Sequence, residues 1–193
     1  AVMQTHRELL LEGRKTLEEA GIADSTTDAW LLMEYITGMT RASYFMRENE
    51  EMSREQAEKY REMIRRRAQH IPLQHITHEA WFYGLKFYVD EHVLTPRQDT
   101  EVLVEEVLLE AGKMQAGSSR SRILDMCTGS GCILLALLSV LKEAEGVGAD
   151  LSEEALAVAK TAERWGYRLY GKKVIYLQIS VERMTLSFPI RLI

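Results

Sequence analysis

The stretch ILDMCTGSGCILLALL, residues 123–138, decides the fold. An apolar run ends in Asp125, the chain passes two glycines flanked by Thr128 and Ser130, and a second apolar run follows. The first run has the length of a buried strand and the second that of a helix. Strand, glycine turn and helix in that order open an α/β unit built on parallel strands. Two readings of the turn stand at this point: a loop that holds a nucleotide-like ligand, or a bare connector.

C-terminal to it the alternation continues, with a helix over residues 131–142, a strand over 147–149, a helix over 152–165 and a strand over 174–178. Parallel strands joined by right-handed crossovers follow. N-terminal to it lies AWFYGLKFYV, residues 80–89, rich in aromatic and β-branched residues and turned at Gly84, which predicts a β-hairpin. Between hairpin and turn come VLTPRQDTE, residues 93–101, a helix bearing Leu103, Val104, Val107 and Leu108, and a loop by composition over residues 112–120.

Residues 5–70 have a different grammar, helical throughout. The first helix carries Leu10 and Leu17 on one face with Leu9 beside them, and Gly21 suits its C-terminal cap. The second follows Asp24, presents Ala29, Leu32, Met33 and Ile36, and stops at Gly38. Residues 40–47 form a short helical piece. Ser53 and Gln56 have the spacing of a capping box and open a helix that Pro72 must end. Arg65, Arg66 and Arg67 at its end either complement the helix dipole on a solvated face or form a docking patch for an acidic or RNA-bearing partner.

The 193 residues are 46% hydrophobic and 27% charged, enough apolar material for one large core or two small ones. A formal net charge of −5 argues against a protein that coats nucleic acid or a membrane by charge, so no direct DNA binding is expected. The apolar runs fall short of the roughly 20 residues that span a bilayer. AVMQTHRELL at the start lacks the pattern of a secretory signal, and a cytoplasmic location without membrane association is expected. Cys127 and Cys132 match neither a redox pair nor a zinc spacing, and reduced thiols are expected. No thiol or carboxylate cluster joins His70, His75 and His78, and no metal site is expected.

In an open parallel sheet, ligands lie beyond the carboxyl ends of the strands, which is where the glycine turn falls. Gly129 and Gly131 remove side chains where a ligand would approach the backbone, and Thr128 and Ser130 offer hydroxyls beside the amides. Asp150, about 20 residues further on at the end of the next strand, is placed to accept the two hydroxyls of a ribose. A dinucleotide fingerprint needs a third small residue, and Leu134 stands there instead. Asp125 would repel a pyrophosphate but suits a ligand with an ammonium and a sulfonium, such as S-adenosylmethionine.

Three segments, LTPRQDTE at 94–101, ILDMCTGSGC at 123–132 and GADLSEEAL at 148–156, resemble the HemK family of release-factor glutamine methyltransferases. IPLQ at 71–74 and FYGLKF at 82–87 resemble that family's interdomain segment. The resemblance implies an α/β protein in three parts. These are a helical release-factor-docking domain over 1–72, a β-hairpin linker over 73–95, and an incomplete Rossmann-like class I methyltransferase domain of parallel strands over 96–193. It implies S-adenosylmethionine as cofactor and a class I peptide chain release factor as partner, methylated on the glutamine side-chain amide of a Gly-Gly-Gln motif. By the same resemblance Asp125, Cys127, Thr128, Gly129, Ser130 and Gly131 line the methionine and ribose side, and Asp150 takes the ribose hydroxyls. Arg97, Thr100 and Glu101 shape the cofactor wall, although Gln98 stands where the family usually has a second proline.

The family's Asn-Pro-Pro-Tyr segment, which orients the acceptor amide, occurs nowhere in the 193 residues. Residues 188–193 have the character of a further strand, and a C-terminally shortened member without turnover is expected. A sheet of three or four strands leaves an edge through which such a chain would self-associate. A non-catalytic release-factor-binding module is the alternative; a nicotinamide-dependent oxidoreductase is disfavoured by Leu134.

Overall fold

The computed structural model describes residues 3–114, 121–164 and 174–179. The chain divides into two units, one of Ala1–Thr77 and a second from His78 onward. Of the expectations above, the loop over 115–120, the helix end at Trp165 and the strand over 188–193 lie outside the described residues.

The first unit is helical: α1 (His6–Glu19), α2 (Ser25–Thr37), α3 (Arg41–Arg47), α4 (Arg54–Ala68) and α5 (Leu73–Thr77). Thr5 and Glu8 close a full capping box at the start of α1. Ser53 makes half of one, its hydroxyl accepting from the Gln56 amide at 3.3 Å. The buried face of α1 runs through Leu9, Gly13 and Leu17, with Leu10 packed at its margin. Ala29, Leu32 and Met33 of α2 are buried as the periodicity predicts, and Gly38 caps that helix in the left-handed region at φ 67°.

Gly13 sets how closely α1 approaches α4. A Cβ there would lie 2.4 Å from the Tyr60 hydroxyl and 2.9 Å from Ile64 Cδ1. Only a bare α-carbon lets the Tyr60 ring fill that space, and its hydroxyl donates to the Ala29 carbonyl at 3.1 Å, tying α4 to α2. The basic run at the end of α4 is spent largely on this unit. Arg67 donates to Asp28 at 2.7 Å and to the Ile71 carbonyl at 3.2 Å, and Arg65 pairs with Glu62. A docking patch is left with only part of its charge.

Pro72 ends α4 but also begins something, since its carbonyl accepts from the His75 and Ile76 amides and starts α5. Proline precedes a helix as readily as it follows one. Residues 73–77 therefore belong with the helical unit, and the hairpin belongs with the second.

That hairpin pairs β1 (Glu79–Phe82) with β2 (Leu85–Tyr88). Tyr83 at φ 51° and Gly84 at φ 70° make its two-residue turn, the left-handed pair that matches strand twist. Phe82 and Phe87 are buried in one cluster with Val104 and Leu135, so the hairpin is part of the core of the second unit and not a free tether.

A 3₁₀ turn (Gln98–Thr100) leads into α6 (Glu101–Met114), which runs past Gly112 where the composition suggested a loop. Then β3 (Arg122–Met126), α7 (Cys132–Val140), β4 (Glu145–Asp150), α8 (Glu153–Arg164) and β5 (Val174–Gln178) alternate, with the strands parallel in the order β3-β4-β5. β4 begins before the expected Val147, with Glu145 paired to Arg122 and Gly146 to Ile123, and its glycines are sites of close packing. A Cβ at Gly146 would lie 2.7 Å from Leu138 Cδ1 and 3.0 Å from Leu134 Cδ1, so α7 rests directly on the strand.

Replacing Gly13 with Ala is expected to destabilise the fold by about 1–3 kcal/mol through overpacking. Gly112→Ala, in a helix with nothing within 4 Å of the new methyl, is expected to be neutral or stabilising by up to about 1 kcal/mol. Denaturant unfolding of the two variants beside the parent chain separates these outcomes.

Candidate functional site

Parallel pairing brings the carboxyl ends of β3 and β4 to one edge of the sheet. Asp125 is paired with Gly148, Met126 with Ala149, and Asp150 is the last residue of β4. Beyond Met126 the chain must reverse into α7 within a few residues. It does so with Cys127, Gly129 and Gly131 all at positive φ, 61°, 54° and 76°. Glycine adopts this readily, whereas at Cys127 it costs on the order of 1–2 kcal/mol.

The reversal is held from both strands. The Thr128 amide donates to the Ala149 carbonyl at 3.0 Å and the Gly131 amide to the Thr128 carbonyl at 2.8 Å. Asp150 accepts from the Gly129 amide at 2.9 Å through Oδ2 and from the Ser152 amide at 3.1 Å through Oδ1. Asp125 accepts the Thr128 hydroxyl at 2.7 Å. Two carboxylates thus pin one turn. Each oxygen of Asp150 keeps a further lone pair, so a vicinal diol could be accepted without breaking either backbone bond.

Asp125 is half-buried, and its carboxyl is pushed above the usual carboxylate range. Loss of water is the main cause, opposed by the Thr128 hydroxyl and the Leu134 amide and reinforced by the charge of Asp150. Burial also pushes the Cys132 thiol up, which keeps it protonated and poorly nucleophilic. Cys127 is exposed, and both thiols are free.

The structure therefore gathers Asp125, Cys127, Thr128, Gly129, Ser130, Gly131 and Asp150 on one turn. The remaining candidates bond elsewhere. Arg97 is exposed and pairs with Asp99, which also accepts the Thr100 hydroxyl at 3.3 Å. Glu101 accepts the Tyr83 amide at 2.8 Å and so braces the hairpin turn. Arg97 and Thr100 find Asp99 within their own segment, whereas nothing in the sequence around Glu101 points to Tyr83. Tyr176 of β5 was missed altogether. Its ring comes within 3.0 Å of where a Cβ of Gly148 would stand, and a mid-strand glycine is the signal that could have pointed to such an approach.

Residues 8–77 match the family described as PrmC N-terminal domain. The release factor glutamine methyltransferase of Agrobacterium fabrum is 37% identical over 158 residues, 81% of this chain and 55% of that protein. That of Caulobacter vibrioides is 40% identical over 144 residues, 75% of this chain and 48% of that protein. That of Thermodesulfovibrio yellowstonii is 46% identical over 112 residues, 58% of this chain and 39% of that protein. The chain spans about half the length of the curated relatives it matches. Among solved structures, coclaurine N-methyltransferase bound to N-methylheliamine and SAH covers 95% of this chain at 16% identity and a TM-score of 0.40, with 52% of that chain covered.

Over most of its length the chain is thus similar to methyltransferases. Within that class, residues 8–77 are similar to the PrmC N-terminal domain, and the chain is similar to the release factor glutamine methyltransferases.

A carboxyl whose folded pKa is raised favours the fold fully only below its unfolded pKa, and that contribution is lost as pH rises through the folded value. Asp125→Asn keeps the shape and an acceptor for Thr128 without the buried charge. It is expected to raise the melting temperature at neutral pH and to do so less near about pH 4. Thermal melts at the two pH values check this.

Proposed function

We propose that the turn over residues 127–131 holds S-adenosylmethionine, and that this chain is the docking and donor-binding part of a protein glutamine methyltransferase. The observation that carries the reading is Asp150, oriented by the Gly129 and Ser152 amides with acceptor capacity left over for a ribose. Nothing lies within 4 Å of a Cβ at Gly129, which leaves space for a ligand against the backbone. Asp125 supplies negative charge beside the turn, suited to an ammonium and a sulfonium and hostile to a pyrophosphate. Leu134 is fully buried against β4 and removes the small residue that a dinucleotide turn requires.

When bound, the cofactor supplies an electrophilic methyl group. The work of the chain is to fix its position through the backbone of 127–131, through Asp150 on the ribose and through Asp125 on the methionine end. The relatives' names and the motif resemblance support the acceptor: a glutamine side-chain amide in the Gly-Gly-Gln motif of a class I release factor, met by the helical unit. An amide nitrogen is a weak nucleophile, and its methylation depends mainly on alignment. These 193 residues contain no Asn-Pro-Pro-Tyr segment for that task, and the reading for them is donor and partner binding. A cytoplasmic setting and self-association through the β3-β4-β5 sheet edge belong to the same proposal. Among the described residues no helix is long and apolar enough to cross a membrane.

Calorimetric titration with S-adenosylhomocysteine tests the reading. Binding by the parent chain is expected, weakened by Asp150→Ala at least about tenfold, or roughly 1.4 kcal/mol. No binding at millimolar ligand would contradict it, and release-factor binding without cofactor binding would favour the non-catalytic module.

A further inference from the structure

We infer that Tyr176 is a positioning residue for the ligand turn, its ring forming the floor under residues 128–131 and its hydroxyl tying that floor to α8. The inference rests on the reading of the turn as a methyl-donor site and adds to it a residue from a strand that contributes none of the turn itself.

The geometry begins with register. Asp125, Gly148 and Tyr176 occupy one row across β3, β4 and β5 and so share one face of the sheet. The middle member has no side chain. Tyr176 Cδ1 and Cε1 lie 3.0 and 3.1 Å from where a Gly148 Cβ would be, and Thr128 Oγ1 lies 3.1 Å from the same point. Ring and hydroxyl therefore converge on the space glycine leaves, and the Thr128 hydroxyl is the one that Asp125 holds. The phenol oxygen of Tyr176 reaches further, to 3.6 Å from the Cβ position of Gly131, and donates to the Ala159 carbonyl of α8 at 3.4 Å. The Ala159 methyl is itself 3.3 Å from that Gly131 position.

One side chain thus lies over Gly148 of β4, reaches toward the Gly131 end of the turn and bonds the helix behind it. A turn already held in place has less freedom to lose when a ligand arrives, which is how a residue that need not touch the ligand raises affinity. The ring also leans across Gly148, whose other neighbour in the row is Asp125, and helps to exclude water there. The titratable groups around Asp125 are Asp150 from β4, Cys132 from α7 and Tyr176 from β5.

The experiment uses the full chain with Tyr176→Phe, Tyr176→Leu and Gly148→Ala, each checked for folding by circular dichroism. Two quantities are measured: the titration midpoint of the Asp125 carboxyl by carbon NMR, and S-adenosylhomocysteine affinity by calorimetry. Tyr176→Phe, which keeps the ring and loses the bond to Ala159, is expected to leave the midpoint in place and weaken binding by about two- to threefold, while Tyr176→Leu lowers the Asp125 midpoint and weakens binding about tenfold. Gly148→Ala, whose methyl would press on the ring and on the Thr128 hydroxyl, is expected to weaken binding likewise and carries the test if the Leu variant does not fold. A folded Leu or Ala variant with an unchanged Asp125 midpoint and parent-like affinity overturns the inference. A midpoint that moves in a chain that binds no S-adenosylhomocysteine upholds the floor and overturns the donor assignment.

Discussion

The bond from the Gly129 amide to Asp150 Oδ2, at 2.9 Å, is the constraint on which the second unit is organised. It ties the end of β4 to the loop that leaves β3, and so fixes where α7 starts. The loop can reach Asp150 only by taking positive φ at three positions, two of which are glycine. Asp125 supplies a second hold through Thr128. Gly146 and Gly148, spaced by two, face the same side of the sheet and let neighbours close on it: α7 over the first, Tyr176 over the second. Turn, helix and third strand then form one packed block.

That block holds costs at its centre. A carboxyl sits where burial disfavours its charge, and a cysteine adopts a backbone conformation that side chains rarely take. Asp125 offsets part of its cost through the Thr128 hydroxyl, and both residues lie at the turn where a ligand would. Costs of this kind persist where the surroundings over-determine the geometry, which here means the buried Leu134, Leu135 and Leu138 of α7 and the paired strands on either side. The helical unit has its own core, with Leu9, Leu17, Leu32, Met33 and Tyr60 buried, and its own costly backbone position, His70 at φ 63°.

How much of this could be read from the chain depended on distance along it. The order of strand, turn and helix, the hairpin reversal at Gly84 and the buried face of α2 follow from local spacing, and the structure has them. The five residues of the turn and its two flanking aspartates were legible as a group because parallel topology places strand ends together. Where reading failed, glycine or proline had a second use: Pro72 starts α5 as well as ending α4, Gly112 sits inside α6, and the glycines of β4 mark contact, not breakage. Other failures were non-local. Arg67 finds Asp28 from 39 residues away, Glu101 finds the Tyr83 amide from 18 away, and Tyr176 reaches Gly148 only across a sheet register that no short window contains.

The central claim, that the pinned turn is where the ligand lies, is tested most directly by amide chemical-shift mapping during titration with S-adenosylhomocysteine. The account predicts that the largest changes fall on the amides of residues 127–131 and 150–152, with Gly129 and Ser152 retaining slow hydrogen exchange because their bonds to Asp150 survive binding. Saturating changes confined to the helical unit, or none at all at millimolar ligand, would contradict it.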